Sequence, residues 1–258
     1  MPEAVIVATA RSPIGRAFKG SLSSIRPDDL LTQIVTAALA KVPQLDPAQV
    51  EDLIVSCGLP GGEQGFNIAR VVAVMLGLDG VPGTTVNRYC SSSLQSTRMA
   101  YHAIKAGEGD VFICAGVECV SRFVKGSSDS LPDTHNPLFT DAAARTEATS
   151  AAESPWHDPR EDGAVPDIYI AMGQTAENLA SLRGITRAEQ DEFGVRSQNL
   201  AEKALANGFW QREITPVTLP DGSVVSGDDG PRPGTTLDKI ATLKPAFREH
   251  GKIAARLR

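Results

Sequence analysis

The sequence predicts an α/β fold, a mainly parallel mixed sheet with helices on both faces, followed by a long, mostly helical segment. Apolar runs of strand length at 3–8, 53–57, 84–87 and 111–115 alternate with segments of helical periodicity over the first 120 residues. Strands buried on both faces read as such continuous apolar runs. After Ser121 the composition shifts to Ser, Asp, Pro, Ala and Thr, and helical patterning resumes only near Ala171.

The elements follow in order. Residues 3–8 form the first apolar strand. Pro27, Asp28 and Asp29 open a helix whose Leu30, Leu31, Ile34, Val35, Ala38 and Leu39 share one face. Asp46-Pro47 starts a short helical turn, Leu53–Cys57 is a second strand, and a helix spans about Phe66 to Leu76. A third strand ends at Asn87, a helix runs from beside Cys90 to Ala106, and Val111–Ala115 is the fourth strand. The stretch from about Arg122 to Asp167 has little periodicity and is too long for an ordinary connection, so it reads as a functional loop or a small lid-like domain. Ala171 to Arg183 is a helix closed by Gly184. Thr186 with Glu189 has capping-box spacing for another helix, which ends at Asn207-Gly208. Pro220-Asp221-Gly222 separates two short apolar runs as a hairpin turn, and Leu237 opens a last helix.

A chain of 258 residues with 41% hydrophobic content can bury one large core or two modest ones. The run after Met1-Pro2-Glu3 is too short for a signal peptide, and no segment approaches a membrane span, so a cytoplasmic protein is expected. The four cysteines, at 57, 90, 114 and 119, fit neither a disulfide framework nor a paired zinc motif; reduced thiols and no metal are expected. A formal net charge of -6 without a basic stripe disfavours a nucleic-acid partner.

Cys90 is the candidate nucleophile. It lies three residues beyond a strand and just ahead of Ser91-Ser92-Ser93, which open a helix. A thiol at a helix start faces unpaired amides and the positive end of the helix dipole, which favour the thiolate. The bland alternative, a small buried apolar residue, is the usual fate of a free cysteine.

Several stretches in this order resemble the thiolase family, closest to its β-ketoacyl-CoA thiolase and acetyl-CoA acetyltransferase branch. Ala10-Arg11-Ser12-Pro13-Ile14-Gly15 resembles the family's opening, Asn67-Ile68-Ala69-Arg70 the helix before the nucleophile strand, and Val86–Ser92 the nucleophile motif. Ala115-Gly116-Val117-Glu118 is similar to the Ala-Gly-Gly-x-Glu turn. Met172–Asn178, Glu189-Gln190-Asp191, Arg196-Ser197-Gln198, Arg232–Leu237 and Leu243–Phe247 resemble the loop domain.

The resemblance implies a thiolase-like N-terminal α/β layer over residues 1–120, an inserted CoA-covering loop domain over 121–247, and an atypical tail over 248–258 in place of the family's C-terminal half. It implies that Cys90 accepts the acyl group of a 3-ketoacyl-CoA and passes it to CoA, or runs the reverse Claisen condensation, with ping-pong kinetics. Fatty-acid β-oxidation is the corresponding process. CoA and acyl-CoA would be substrates, with no permanently bound cofactor, and the assembly a homodimer or homotetramer. Arg232 is implied near the CoA nucleotide, where a planar guanidinium suits phosphate, although an arginine in such a turn is often only solvated. Met172 is implied along the acyl or pantetheine channel, with helix packing as its alternative.

Three positions depart from the family pattern: Ala171 stands where a histidine is frequent, Ser93 where glycine is common, and Tyr89 where a smaller or amide side chain precedes the nucleophile. The family's second half carries a Gly-His-Pro histidine, an Asn-Glu-Ala-Phe motif and a Cys-x-Gly cysteine. Nothing in this sequence matches them, and the resemblance is expected to stop at Gly251. His102, twelve residues beyond Cys90, would lie about 18 Å along the helix. His135, His157 and His250 are the other histidines. Three readings therefore stand: a thiolase-type acyltransferase; a non-catalytic half-thiolase serving as a dimerisation or CoA-binding module; and a thioesterase using Cys90 with His157.

Overall fold

The computed structural model describes residues 2–123, 134–151, 156–248 and 251–253. They form two compact units. The first comprises residues up to 128 and 208–230, the second residues 129–207 and 231 onward.

The first unit is built on a parallel sheet of β1 (Asp52–Ser56), β2 (Gly83–Val86) and β3 (Phe112–Gly116), in the order β2-β1-β3. Leu53 pairs with Gly83 on one side and Ile113 on the other. Side chains alternate along β1. Leu53 and Val55 point to one face, where α1 (Pro27–Leu39) and α2 (Ile68–Met75) bury Leu31, Val35, Ile68 and Val72 against them. On the opposite face Ser56 donates its hydroxyl to Ser96 of α3 (Ser92–Ala106) at 3.0 Å. Helices thus cover both faces of the sheet, as the alternation of apolar runs predicts.

Residues 3–8 do not form the expected strand. They have no ladder partner among the described residues, and Val5, Ile6 and Val7 are 67%, 77% and 72% exposed. An apolar run supplies strand propensity, but a strand exists only where a neighbour meets its amides. A helical turn, α4 (Val120–Phe123), follows β3.

In the second unit, α5 (Thr140–Ala151) crosses the stretch that reads as aperiodic. Its alanine-rich sequence has good helix propensity without the apolar stripe that periodicity detects. Then come α6 (Met172–Leu182) and α7 (Arg187–Ala206). The latter opens on the expected capping box between Thr186 and Glu189. The chain next returns to the first unit for α8 (Phe209–Glu213) and the hairpin of β4 (Val217–Thr218) with β5 (Val224–Val225). Finally α9 (Leu237–Ala241) packs on α7, where Arg187 pairs with Asp191 and donates to the carbonyls of Ile240 and Leu243 at 3.0 Å. No helix among the described residues is long and apolar enough to cross a membrane. His250 lies outside the described residues.

Candidate active site

The chain leaves β2 at Val86 and makes a tight corner before α3. The Asn87 side chain accepts the Tyr89 amide at 2.7 Å, an Asx-type turn. Ser92 Oγ accepts the Arg88 amide at 2.8 Å and donates to the Tyr89 carbonyl at 2.6 Å. These bonds hold Tyr89 at φ +46°, in the left-handed region that a non-glycine residue occupies only when its surroundings impose it. Cys90 follows in a single 3-10 turn, Tyr89–Ser91, that runs directly into the 15-residue α3. Its side chain is exposed at the end of the helix where backbone amides lack intrahelical partners. The strand-to-helix corner expected from the sequence is therefore present, with the thiol at the carboxyl end of a parallel sheet, where ligands of such sheets collect.

The ends of β1 and β3 form a floor beneath this corner. A Cβ placed on Gly58, just beyond β1, would sit 3.5 Å from the Tyr89 Cα. One placed on Gly116, at the end of β3, would sit 2.7 Å from Ser93 Oγ. The missing side chains let the turn settle directly onto the sheet. Beside it, Glu118 accepts the Gly58 amide at 2.8 Å and the Gln64 side-chain amide at 3.0 Å. Gln64, almost wholly buried, also donates to the Leu59 carbonyl and accepts the Cys119 amide. A shallow groove of about 460 Å³ runs along β2, lined among others by Phe66, Asn67, Thr85 and Asn87.

Of the other thiols, Cys57 and Cys119 are buried and Cys114 is exposed. Burial, reinforced by the Glu118 carboxylate, pushes Cys57 up to about 12, and burial pushes Cys119 up to about 11, so both are neutral near pH 7. Packing around the Cys114 sulfur raises that thiol as well, with the Asp52 charge adding to the effect.

Met172 and Arg232 belong to the second unit, whereas Cys90 belongs to the first. Met172 opens α6 and is 74% exposed. Arg232 is half-buried; its amide donates to Gln198 at 2.9 Å and its carbonyl accepts the Thr235 hydroxyl at 2.7 Å. His157, also in the second unit, is an exposed residue beside Asp162 at 3.1 Å and Glu161 at 3.7 Å. Sequence reasoning missed Gln64 and the floor role of Gly58. The only available signal was the turn-forming composition of Gly58-Leu59-Pro60-Gly61-Gly62, which reads equally well as a plain turn.

The family model described as the thiolase N-terminal domain matches residues 4–256, running past Gly251. A 3-ketoacyl-CoA thiolase of Bacillus subtilis is 38% identical over 99% of this chain and 62% of its own length. The 3-oxoadipyl-CoA/3-oxo-5,6-dehydrosuberyl-CoA thiolase of Escherichia coli K12 is 38% identical with the same coverage. Among solved structures, the dimeric peroxisomal thiolase of Saccharomyces cerevisiae superposes with a TM-score of 0.80 at 29% identity, covering 97% of this chain and 59% of that one. The chain thus spans about 62% of the length of the curated relatives it matches.

Proposed function

This chain belongs to the thiolase family, matching its N-terminal domain over residues 4–256, and from that premise we propose that it is the acyl-accepting part of a thiolase-type acyltransferase. The observation that carries the reading is the corner at Asn87–Ser93, which presents Cys90 at the start of α3 over a glycine floor. In the degradative direction the Cys90 thiolate attacks the 3-keto carbon of a 3-ketoacyl-CoA. The bond to C2 breaks, and its electron pair leaves with the acetyl-CoA fragment, which then takes up a proton. The acyl group remains on Cys90 as a thioester. It is still activated, so the thiol of a second CoA attacks it and releases the shortened acyl-CoA. No described residue is assigned to the proton transfers.

On the same reading, the helical segment of residues 121–247 covers the CoA, with Arg232 toward a phosphate and Met172 along the pantetheine or acyl channel. The substrates on this reading are CoA thioesters of the 3-ketoacyl or 3-oxoadipyl kind that the relatives are named for, with fatty-acid β-oxidation as the corresponding process. A cytoplasmic homodimer or homotetramer is the corresponding assembly, and the similar yeast peroxisomal thiolase is dimeric.

The test is incubation of the 258-residue chain with acetyl-CoA, followed by intact mass and peptide mapping. Acetylation of Cys90 that disappears in Cys90→Ala is the expected result. An unmodified Cys90 in a folded chain would overturn transferase activity for this chain and leave the binding-module reading. Hydrolysis of the thioester without CoA as acceptor, lost in His157→Ala, would indicate a thioesterase.

A further inference from the structure

Resting on Cys90 as the nucleophile, we propose that Glu118, braced by Gln64, is the positioning residue of the nucleophile turn and acts on it through Gly58. Three strand ends meet at this point: β1 continues into Cys57-Gly58, β2 into the Tyr89-Cys90 corner, and β3 into Glu118. One Glu118 carboxylate oxygen accepts the Gly58 amide at 2.8 Å. The other accepts the Gln64 amide at 3.0 Å and lies 3.7 Å from Cys57 Sγ. Gln64 is only 1% exposed and its side-chain amide is engaged at both ends, donating also to Leu59 at 2.8 Å and accepting the Cys119 amide. A buried amide in a network of this kind has one workable orientation, so the carboxylate it holds is fixed as well.

Gly58 passes that constraint on. A Cβ there would lie 2.9 Å from the Glu118 carboxylate and 3.5 Å from the Tyr89 Cα, so the residue is clasped between the two. Tyr89 in turn holds φ +46° immediately before the nucleophile, a conformation that persists only if its neighbours over-determine it. Glu118 is an exposed residue, yet its carboxylate is tied to the Gly58 amide under the turn.

The experiment combines hydrogen exchange with acylation on the full chain. Glu118→Ala is expected to accelerate amide exchange about tenfold or more in both 57–64 and 87–93, with α1 and α2 unchanged. It is also expected to lower the limiting rate of Cys90 acetylation by about 10- to 100-fold while the half-saturating acetyl-CoA concentration stays within about twofold. Glu118→Gln keeps an oxygen for the Gly58 amide and should restore protection at 87–93 to within about threefold. Faster exchange at 57–64 alone, with 87–93 unaffected, would overturn the proposal, because Glu118 would then hold only its own loop. If the parent chain is not acetylated, the transferase reading fails, and the exchange result still decides the positioning role. Should Glu118→Ala not fold, Gly58→Ala decides the same question: exchange at 87–93 rises about tenfold, or the proposal falls.

Discussion

Arg11 and Asp228, 217 positions apart, meet fork to fork: Nη1 donates to Oδ1 at 3.0 Å and Nη2 to Oδ2 at 3.1 Å. The same guanidinium donates from Nε to Glu213 at 2.9 Å and lies 5.2 Å over the Trp210 ring. Asp228 also accepts the Ile14 amide at 2.8 Å. The pair therefore fastens 208–230 to the segment that opens the first unit. Arg11→Lys retains the charge but loses the fork and the stacking geometry, and is expected to cost about 1–2 kcal/mol, measurable by urea unfolding. Full stability in Arg11→Lys would show that charge alone suffices.

A pH dependence follows from Asp228 and its neighbour. Burial pushes the Asp228 carboxyl upward, but the hydrogen bonds from Arg11 and Ile14 and the Arg11 charge outweigh it, leaving the group below the usual carboxylate range. Asp229 is likewise lowered against burial, by the amides of Arg16 and Ser21 and the Ser21 hydroxyl. Groups depressed in the folded state contribute stability that is fully present above the ordinary carboxylate value of about 4 and is lost as pH falls through their lower folded values. Unfolding free energy should therefore drop below about pH 4 in the parent chain, and more gradually in Asp229→Asn. Equal acid limbs in the two proteins would remove Asp229 from this account.

The thiols give an alkaline counterpart. Cys57 and Cys119 are raised by burial in the folded state, so their contribution is fully present below the ordinary thiol value and is lost as pH rises toward about 12 and about 11. At pH 8 a small alkylating reagent should therefore label Cys90 first, and Cys57 and Cys119 only on unfolding. Labelling of Cys57 in the native protein at a rate comparable with Cys90 would contradict the burial of that thiol.

Much of this arrangement was legible in the sequence. The strand-to-helix corner at Cys90, the capping box at Thr186 and the hairpin at Pro220 depend on neighbours in sequence, and all three are present. The contacts that support the corner are not local. Gln64 meets Glu118 across 54 positions and Asp228 meets Ile14 across 214, and no periodicity reports such pairings. The failure at residues 3–8 has the same cause in reverse, since an apolar run does not say which strand receives it.

Similar long-range contacts hold Lys252 and Ile253. Glu177, buried in α6, accepts the amides of Lys252 at 2.8 Å and Ile253 at 2.9 Å, while Ala246 donates its amide to the Ile253 carbonyl at 2.9 Å. A Cβ on Gly251 would fall 2.2 Å from the Glu177 carboxylate. Gly251→Ala must displace that carboxylate and is expected to cost about 1–3 kcal/mol, with faster exchange of the Lys252 and Ile253 amides. Unchanged exchange at those two amides would mean that Glu177 is not their anchor.

The exposed run Val5-Ile6-Val7 sets the last expectation. Lys105 Nζ donates to the Pro2 carbonyl and Lys41 Nζ to the Thr9 carbonyl, each at 2.6 Å, so the segment is tethered near both ends while its apolar middle is bare. In the described sheet β3 is also an edge. An exposed apolar segment and an open sheet edge on one molecule favour pairing with another copy. Sedimentation of the 258-residue chain should show concentration-dependent self-association. Ile6→Lys should weaken it about tenfold or more, since a charge in a pairing strand opposes edge-to-edge association. The same substitution at an exposed site should change unfolding free energy by less than about 0.5 kcal/mol, so loss of association would not reflect loss of fold. A monomer at every concentration, or association indifferent to Ile6→Lys, would mean that this run is not the surface through which copies meet.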